Sequence, residues 1–208
     1  MGKQLRIWLF VLLSTLLAST TLLAQGVITM TASKAVGETV KLRIEANGNV
    51  TIEGVKELPQ LGKDKKNYTL TSQTITIHGD VTKLDCSDNQ LTSLDLPKST
   101  VLTELFCFEN KLTSLDVSKN IALTELYCSN NQLTSLNVSR CARLNTLYCD
   151  SNRINGKAMN KLENSLPNRR RKSSGAILLV DNSPEKRDKN RCSPADVTIS
   201  EKKNWSVL

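Results

Sequence analysis

A spacing of 21 residues constrains this chain more than any other feature. Leu84, Leu105, Leu126 and Leu147 lie 21 apart, as do Cys86, Cys107, Cys128 and Cys149. Asn89, Asn110, Asn131 and Asn152 keep the same step, followed by Leu91, Leu112, Leu133 and Ile154. The unit reads L-x-x-L-x-C-x-x-N-x-L-T-S-L-x-V, as in the stretch from Leu123 to Val138. A partial copy precedes it, with Leu70, Thr71 and Ser72 one period before Leu91, Thr92 and Ser93, and Ile75 one period before Leu96. A unit this short cannot close a core by itself, so successive units must stack and bury a shared face. Side chains two apart on a strand point the same way, which turns Leu84 and Cys86 inward together. The Asn that follows ends the strand, and its amide is suited to bonding the backbone of the turn.

Six cysteines in an exported chain ordinarily suggest a disulfide framework. The periodic spacing argues against it. Neighbouring strands sit ~4.8 Å apart, wider than the ~3.5–4.5 Å between Cβ atoms of a disulfide. A metal site needs four thiolates around one ion, whereas a ladder spreads them along a line. The four are therefore expected as small core residues. Cys141, which replaces Asn120 on the outer side of the coil, and Cys192 fall outside the ladder, and a bond between them stays open.

These repeats resemble the leucine-rich-repeat family with Cys in place of the usual central Leu. They look most like the cysteine-bearing, internalin-like repeats of exported proteins in Bacteroides and Porphyromonas relatives. The resemblance covers residues 70–156. It implies a β-rich α/β fold, a short leucine-rich-repeat solenoid whose strands form a parallel sheet on the concave face. It also implies a binding role for that face rather than catalysis.

The flanking sequence completes the expected organisation. Residues 1–24 read as a signal peptide: Lys3 and Arg6, an apolar run from Ile7 to Leu17, and Ala24 before Gln25. Export would leave the protein periplasmic, on the cell surface or secreted. Residues 25–69 are expected to form an N-terminal β cap, with alternation at Val40, Leu42 and Ile44 and a hairpin at Asn47-Gly48. Residues 157–208 are expected as a C-terminal α/β capping segment with basic loops. There Ala158, Met159, Leu162 and Leu166 mark a helical face stopped by Pro167, and Ala176 to Val180 mark a strand. Ser193-Pro194 starts a second helix running to about Lys203, and Trp205 and Val207 close the end.

Function is expected at the outward positions of the concave strands. Phe106, Tyr127 and Tyr148 stand 21 apart and should form a column, with Phe108 beside it. Beyond the leader the chain has five Phe and Tyr residues, and four of them fall on this face. Aromatic side chains bury much area at low entropic cost and concentrate at binding surfaces. Asp85, Glu104, Glu125 and Asp150 are expected to add an acidic border, making a site for a protein partner or adhesion. A competing reading of the column is a cross-strand ladder that merely stabilises the sheet.

The alternative site is basic. Residues 157–208 carry 12 basic and 6 acidic side chains, against a near balance elsewhere in the exported chain. Arg169, Arg170, Arg171 and Lys172 run together, with Lys186, Arg187, Lys189 and Arg191 nearby, and such clusters suit a polyanion such as lipopolysaccharide or an acidic glycan. No aromatic interleaves them and the chain is read as exported, which argues against nucleic acid. A structural role in the envelope is a further option. His78 is the sole histidine, and no nucleophile-elbow, zinc-helix or phosphate-loop pattern occurs, so neither catalysis nor a cofactor or metal is expected.

Overall fold

The computed structural model describes residues 26–57, 65–96, 101–180 and 188–208. The expected leader lies outside them, as do Lys186 and Arg187. Eleven strands and two helices are seen among the described residues: β1 (Val27–Ala32), β2 (Thr39–Glu53), β3 (Val55–Glu57), β4 (Lys66–Leu70), β5 (Thr74–Asp85), β6 (Leu91–Asp95), β7 (Glu104–Phe106), β8 (Glu125–Tyr127), β9 (Thr146–Tyr148), α1 (Lys157–Ser165), β10 (Gly175–Leu178), α2 (Pro194–Lys202) and β11 (Trp205–Val207). The fold is accordingly β-rich.

The 21-residue period becomes parallel pairing in register. β5, β7, β8 and β9 place Leu84 beside Leu105, Leu105 beside Leu126, and Leu126 beside Leu147. The row continues through Ile177 of β10 to Val207 of β11. Leu84, Leu105, Leu126, Leu147 and Ile177 are all fully buried, as are Cys86, Cys107, Cys128 and Cys149. From β7 to β11 each strand has only three or four regular residues because the chain must turn back before the next copy begins. The return path is irregular but inward-facing at Leu112, Val117, Leu123, Leu133, Val138 and Leu144, which fill the core from the opposite side.

The asparagines hold these coils together. Asn131 Nδ2 donates to the carbonyls of Cys107 at 2.9 Å, Cys128 at 3.1 Å and Ser129 at 3.3 Å, while its Oδ1 accepts from the Leu112 amide at 3.0 Å. Asn110 and Asn152 repeat the pattern one coil earlier and later. One side chain thus satisfies backbone groups of two adjacent coils that would otherwise be buried without partners. The ladder has a fifth rung outside the period: Asn190 Nδ2 donates to the carbonyls of Cys149 and Leu179, and its Oδ1 accepts from the Ile154 amide.

The N-terminal strands run antiparallel. β1 lies between the first half of β5 and β6, and β2 pairs with β5 from Thr76 to Asp85 and with β4. The hairpin expected at Asn47-Gly48 is not made. β2 passes straight through, pairing Asn47 with Asp80 and Thr51 with His78 across an irregularity. The 12 residues of β5 offer a continuous partner, so the extra residues are absorbed as a bulge. β2 gives way to β3 at Gly54, whose φ of 81° favours glycine and whose carbonyl accepts from the Thr71 and Ser72 amides; β3 then pairs antiparallel with β4. A Cβ at Gly54 would stand 2.1 Å from the Thr74 carbonyl oxygen.

After β9 the spacing breaks where α1 intervenes. Met159 and Leu162 bury its inner face, as the periodicity predicts, together with Glu163, which the periodicity does not predict. Ser193 caps α2 through a reciprocal bond pair with Asp196, and Pro194 occupies its first turn. Trp205 is buried, and its Nε1 donates to the Pro167 carbonyl at 3.0 Å.

Candidate functional site

The parallel strands carry three outward columns. Lys83, Glu104, Glu125 and Thr146 pair in one, and Asp85, Phe106, Tyr127, Tyr148 and Leu178 in the next. Ser87, Phe108, Ser129 and Asp150 follow at the same 21-residue step. The rings of Phe106 and Tyr127 stack with centroids 4.6 Å apart and planes 9° from parallel, and Tyr148 meets Tyr127 edge-on at 4.9 Å. All three, and Phe108, are half-buried. Burial, with Glu125 beside it as the next cause, pushes the Tyr127 hydroxyl up to about 12, so this phenol stays neutral as a hydrogen-bonding group.

The charges are arranged differently from the acidic border expected of them. Lys65 lies 2.8 Å from Asp85 and also sits over the Phe108 ring at 5.8 Å. Lys83 pairs with Glu104 and covers the Phe106 ring at 5.2 Å. The coil-one end of the face is therefore neutralised by its own lysines. Asp150 corrects the expectation outright: it is 2% exposed and not at a rim. Its Oδ1 accepts from the Ser129 hydroxyl and its Oδ2 from the Ser151 hydroxyl at 3.2 Å. Short hydroxyl side chains next to it in the stack draw the carboxylate inward. Glu125 remains as a part-exposed acid with no ion pair among the described residues.

Between the columns lies a hollow of about 310 Å³, lined chiefly by Phe108, Tyr127, Tyr148, Leu178 and Asp150. Its origin is local. Phe108 is followed in its column by Ser129 and Asp150, and these small residues leave space that a repeated aromatic would have filled.

The basic run also separates on inspection. Arg169 is 5% exposed and belongs to the interior, which corrects its assignment to a polyanion surface. Its Nη1 donates to the Leu144 carbonyl, its Nε and Nη2 to that of Ser173, and its guanidinium lies over the Trp205 ring at 5.8 Å. Arg170, Arg171 and Lys172 are exposed, as are Lys189 and Arg191.

All six thiols are free, so Cys141 and Cys192 are not bonded to each other. Cys141 is buried rather than outward, with Sγ 3.6 Å from the Val117 carbonyl. Burial raises the ladder thiols well above their ordinary range, Cys86 to about 12, which suppresses the nucleophilic thiolate. His78 lies inside β5, with Nε2 3.3 Å from Glu53 Oε1. Among the described residues, no three His, Cys, Asp or Glu side chains gather as metal ligands would. No described helix is long and apolar enough to cross a membrane.

No protein-family model matches the chain, nor does any curated protein. Among solved structures, the functional domain of InlJ from Listeria monocytogenes, which includes a cysteine ladder, aligns with it at 32% identity and a TM-score of 0.38. The aligned region covers 48% of this chain and 21% of that one, so it spans about a fifth of the InlJ chain.

Proposed function

We propose that this chain is an exported leucine-rich-repeat solenoid, closed by a β cap over 25–69 and an α/β cap over 157–208, that binds a protein partner through its concave face and catalyses nothing. The observation that carries the reading is the gathering of Phe106, Phe108, Tyr127 and Tyr148, still half-exposed, on one face of the sheet. Ring stacking accounts for the column as a stabiliser of the sheet. It does not account for Phe108, which stands outside the column beside an unfilled hollow. Five or six strands ~4.8 Å apart, each showing about three residues, offer roughly 250–350 Å² in flat projection. A standard interface uses ~800 Å² per partner, so the partner must also engage flanking loops, or binding must be multivalent.

The test is capture of a partner by the immobilised protein from extracts of host or bacterial surfaces. Changing Phe106, Tyr127 and Tyr148 together to Ser should leave the far-UV spectrum unchanged and reduce capture at least tenfold. Undiminished capture rejects the reading. The exposed trio Arg170, Arg171 and Lys172 favours one other reading, binding of a polyanion. That reading requires retention on a sulfated or phosphorylated glycan matrix that falls steeply with salt and is lost when the three become Ala.

A further inference from the structure

The hollow on the concave face joins two features that the rest of the face keeps apart. Its walls are aromatic and aliphatic: Phe108, Tyr127, Tyr148 and Leu178. Its most buried lining residue is a carboxylate, Asp150, which receives hydrogen bonds from two serine hydroxyls and forms no ion pair among the described residues. The contrast lies within one surface. Asp85 and Glu104, at the other end of the face, each have a lysine in contact. Among the described residues, no Lys or Arg lines the hollow, and Glu109 adds a second acid at its edge.

A buried carboxylate is costly without a cationic partner, and aromatic walls attract cations through the negative faces of their rings. The volume of about 310 Å³ is small for a helix or a strand and ample for one long side chain. Of the two basic side chains, arginine suits it better. Its guanidinium is planar, less strongly hydrated than an ammonium, stacks on aromatic faces and meets a carboxylate with two parallel N–H donors. We propose that this hollow seats an arginine side chain of the protein partner, its guanidinium on Asp150 and its stem against Tyr148 and Leu178. The inference rests on the concave face being the partner surface and names the chemistry that the partner must present there.

The test uses the ¹⁵N-labelled protein titrated with N-acetyl-arginine amide and with the corresponding citrulline amide, which keeps the shape and removes the charge. Saturable shifts are expected at Ser129, Asp150, Ser151 and their neighbours, with arginine at least tenfold tighter than citrulline. Asp150→Asn should abolish that preference. Should this variant fail to fold, Phe108→Ser opens one wall, leaves Asp150 in place and should weaken arginine binding at least fivefold. Equal affinity for arginine and citrulline, or shifts confined to another surface, would overturn the proposal. The two readings fail separately. Loss of capture in the triple aromatic variant without arginine binding sinks this inference alone, whereas arginine binding with capture undiminished in that variant sinks the partner surface and leaves the arginine seat standing.

Discussion

The asparagines show how much one side chain can do in a stack of coils. Asn131 answers three carbonyls and one amide that have been withdrawn from water. Asn131→Ala leaves those groups buried, and each unsatisfied one costs about 1–3 kcal/mol. A loss of about 3 kcal/mol or more is expected in urea-induced unfolding, and a change below about 1 kcal/mol would show that the ladder is not structural. Arg169 makes the same point about a residue whose type suggests surface. Arg169→Ala removes a donor to the buried Leu144 carbonyl, two to the Ser173 carbonyl and the lid on Trp205, so it should lower stability by about 2–4 kcal/mol. Arg171→Ala should stay within about 0.5 kcal/mol, and equal effects would refute the division. Composition marked Arg169 as one of four like charges. Its burial depends on Gly175, where a Cβ would stand 2.7 Å from the Trp205 ring and 2.9 Å from Arg169 Cδ. That contact spans residues 169 to 205, and no local pattern encodes it. Asp150 escaped for a similar reason: its hydroxyl partner Ser129 lies a full coil away.

At the scale of elements, the period made the parallel strands legible because pairing i with i+21 requires nothing beyond itself. The helices were legible from their caps and apolar faces. What the local pattern missed are the places where a partner element decides the outcome. β5 holds β2 extended past Asn47-Gly48, and α2 packs against α1 so that Glu163 is fully buried beside Asp196 and Cys192. Glu163 is an acid whose protonated form the fold favours. Burial first, and the Asp196 carboxylate second, push it up to about 7, while the Cys192 thiol and Lys203 oppose the shift. In the unfolded chain it ionises near its ordinary value of 4.5. Between these two values the folded state alone keeps the proton, so stability falls as pH rises through the window, and the penalty is complete above about 7. The shift corresponds to roughly 3 kcal/mol at most. Glu163→Gln should therefore raise the melting temperature at pH 8, leave it nearly unchanged at pH 4.5, and flatten the profile between. A variant profile running parallel to that of the parent would locate the titration elsewhere.

Taken whole, the molecule is a β-rich fold with one continuous interior, and its cysteines report on that interior. Cys86, Cys107, Cys128 and Cys149 are fully buried and lie one period apart along the row of parallel strands. A modifying reagent reaches any one of them only when coils separate. The core runs without a break from Ile28 and Met30 of β1 through the ladder to Trp205 at the far end. The Asn rungs bind each coil to the one before, including the rung that Asn190 supplies beyond the last periodic copy. Opening one interface thus strands buried carbonyls on both sides, and the stack should open as a unit rather than peel. Cys192 lies outside the ladder and is part-exposed, so at pH 8 a thiol reagent in excess should label it first. It should do so slowly, because burial, with Glu163 as the next cause, holds the thiol up to about 12. The four ladder thiols should follow together, with one rate that rises with denaturant as global unfolding does. Mass spectrometry of partly labelled protein would then show chains carrying either none or all four ladder labels. A population labelled at Cys149 alone, spreading coil by coil toward Cys86, would mean that the C-terminal coils open independently, and the hollow between Tyr148 and Leu178 would then lack the rigid walls that seating a side chain requires.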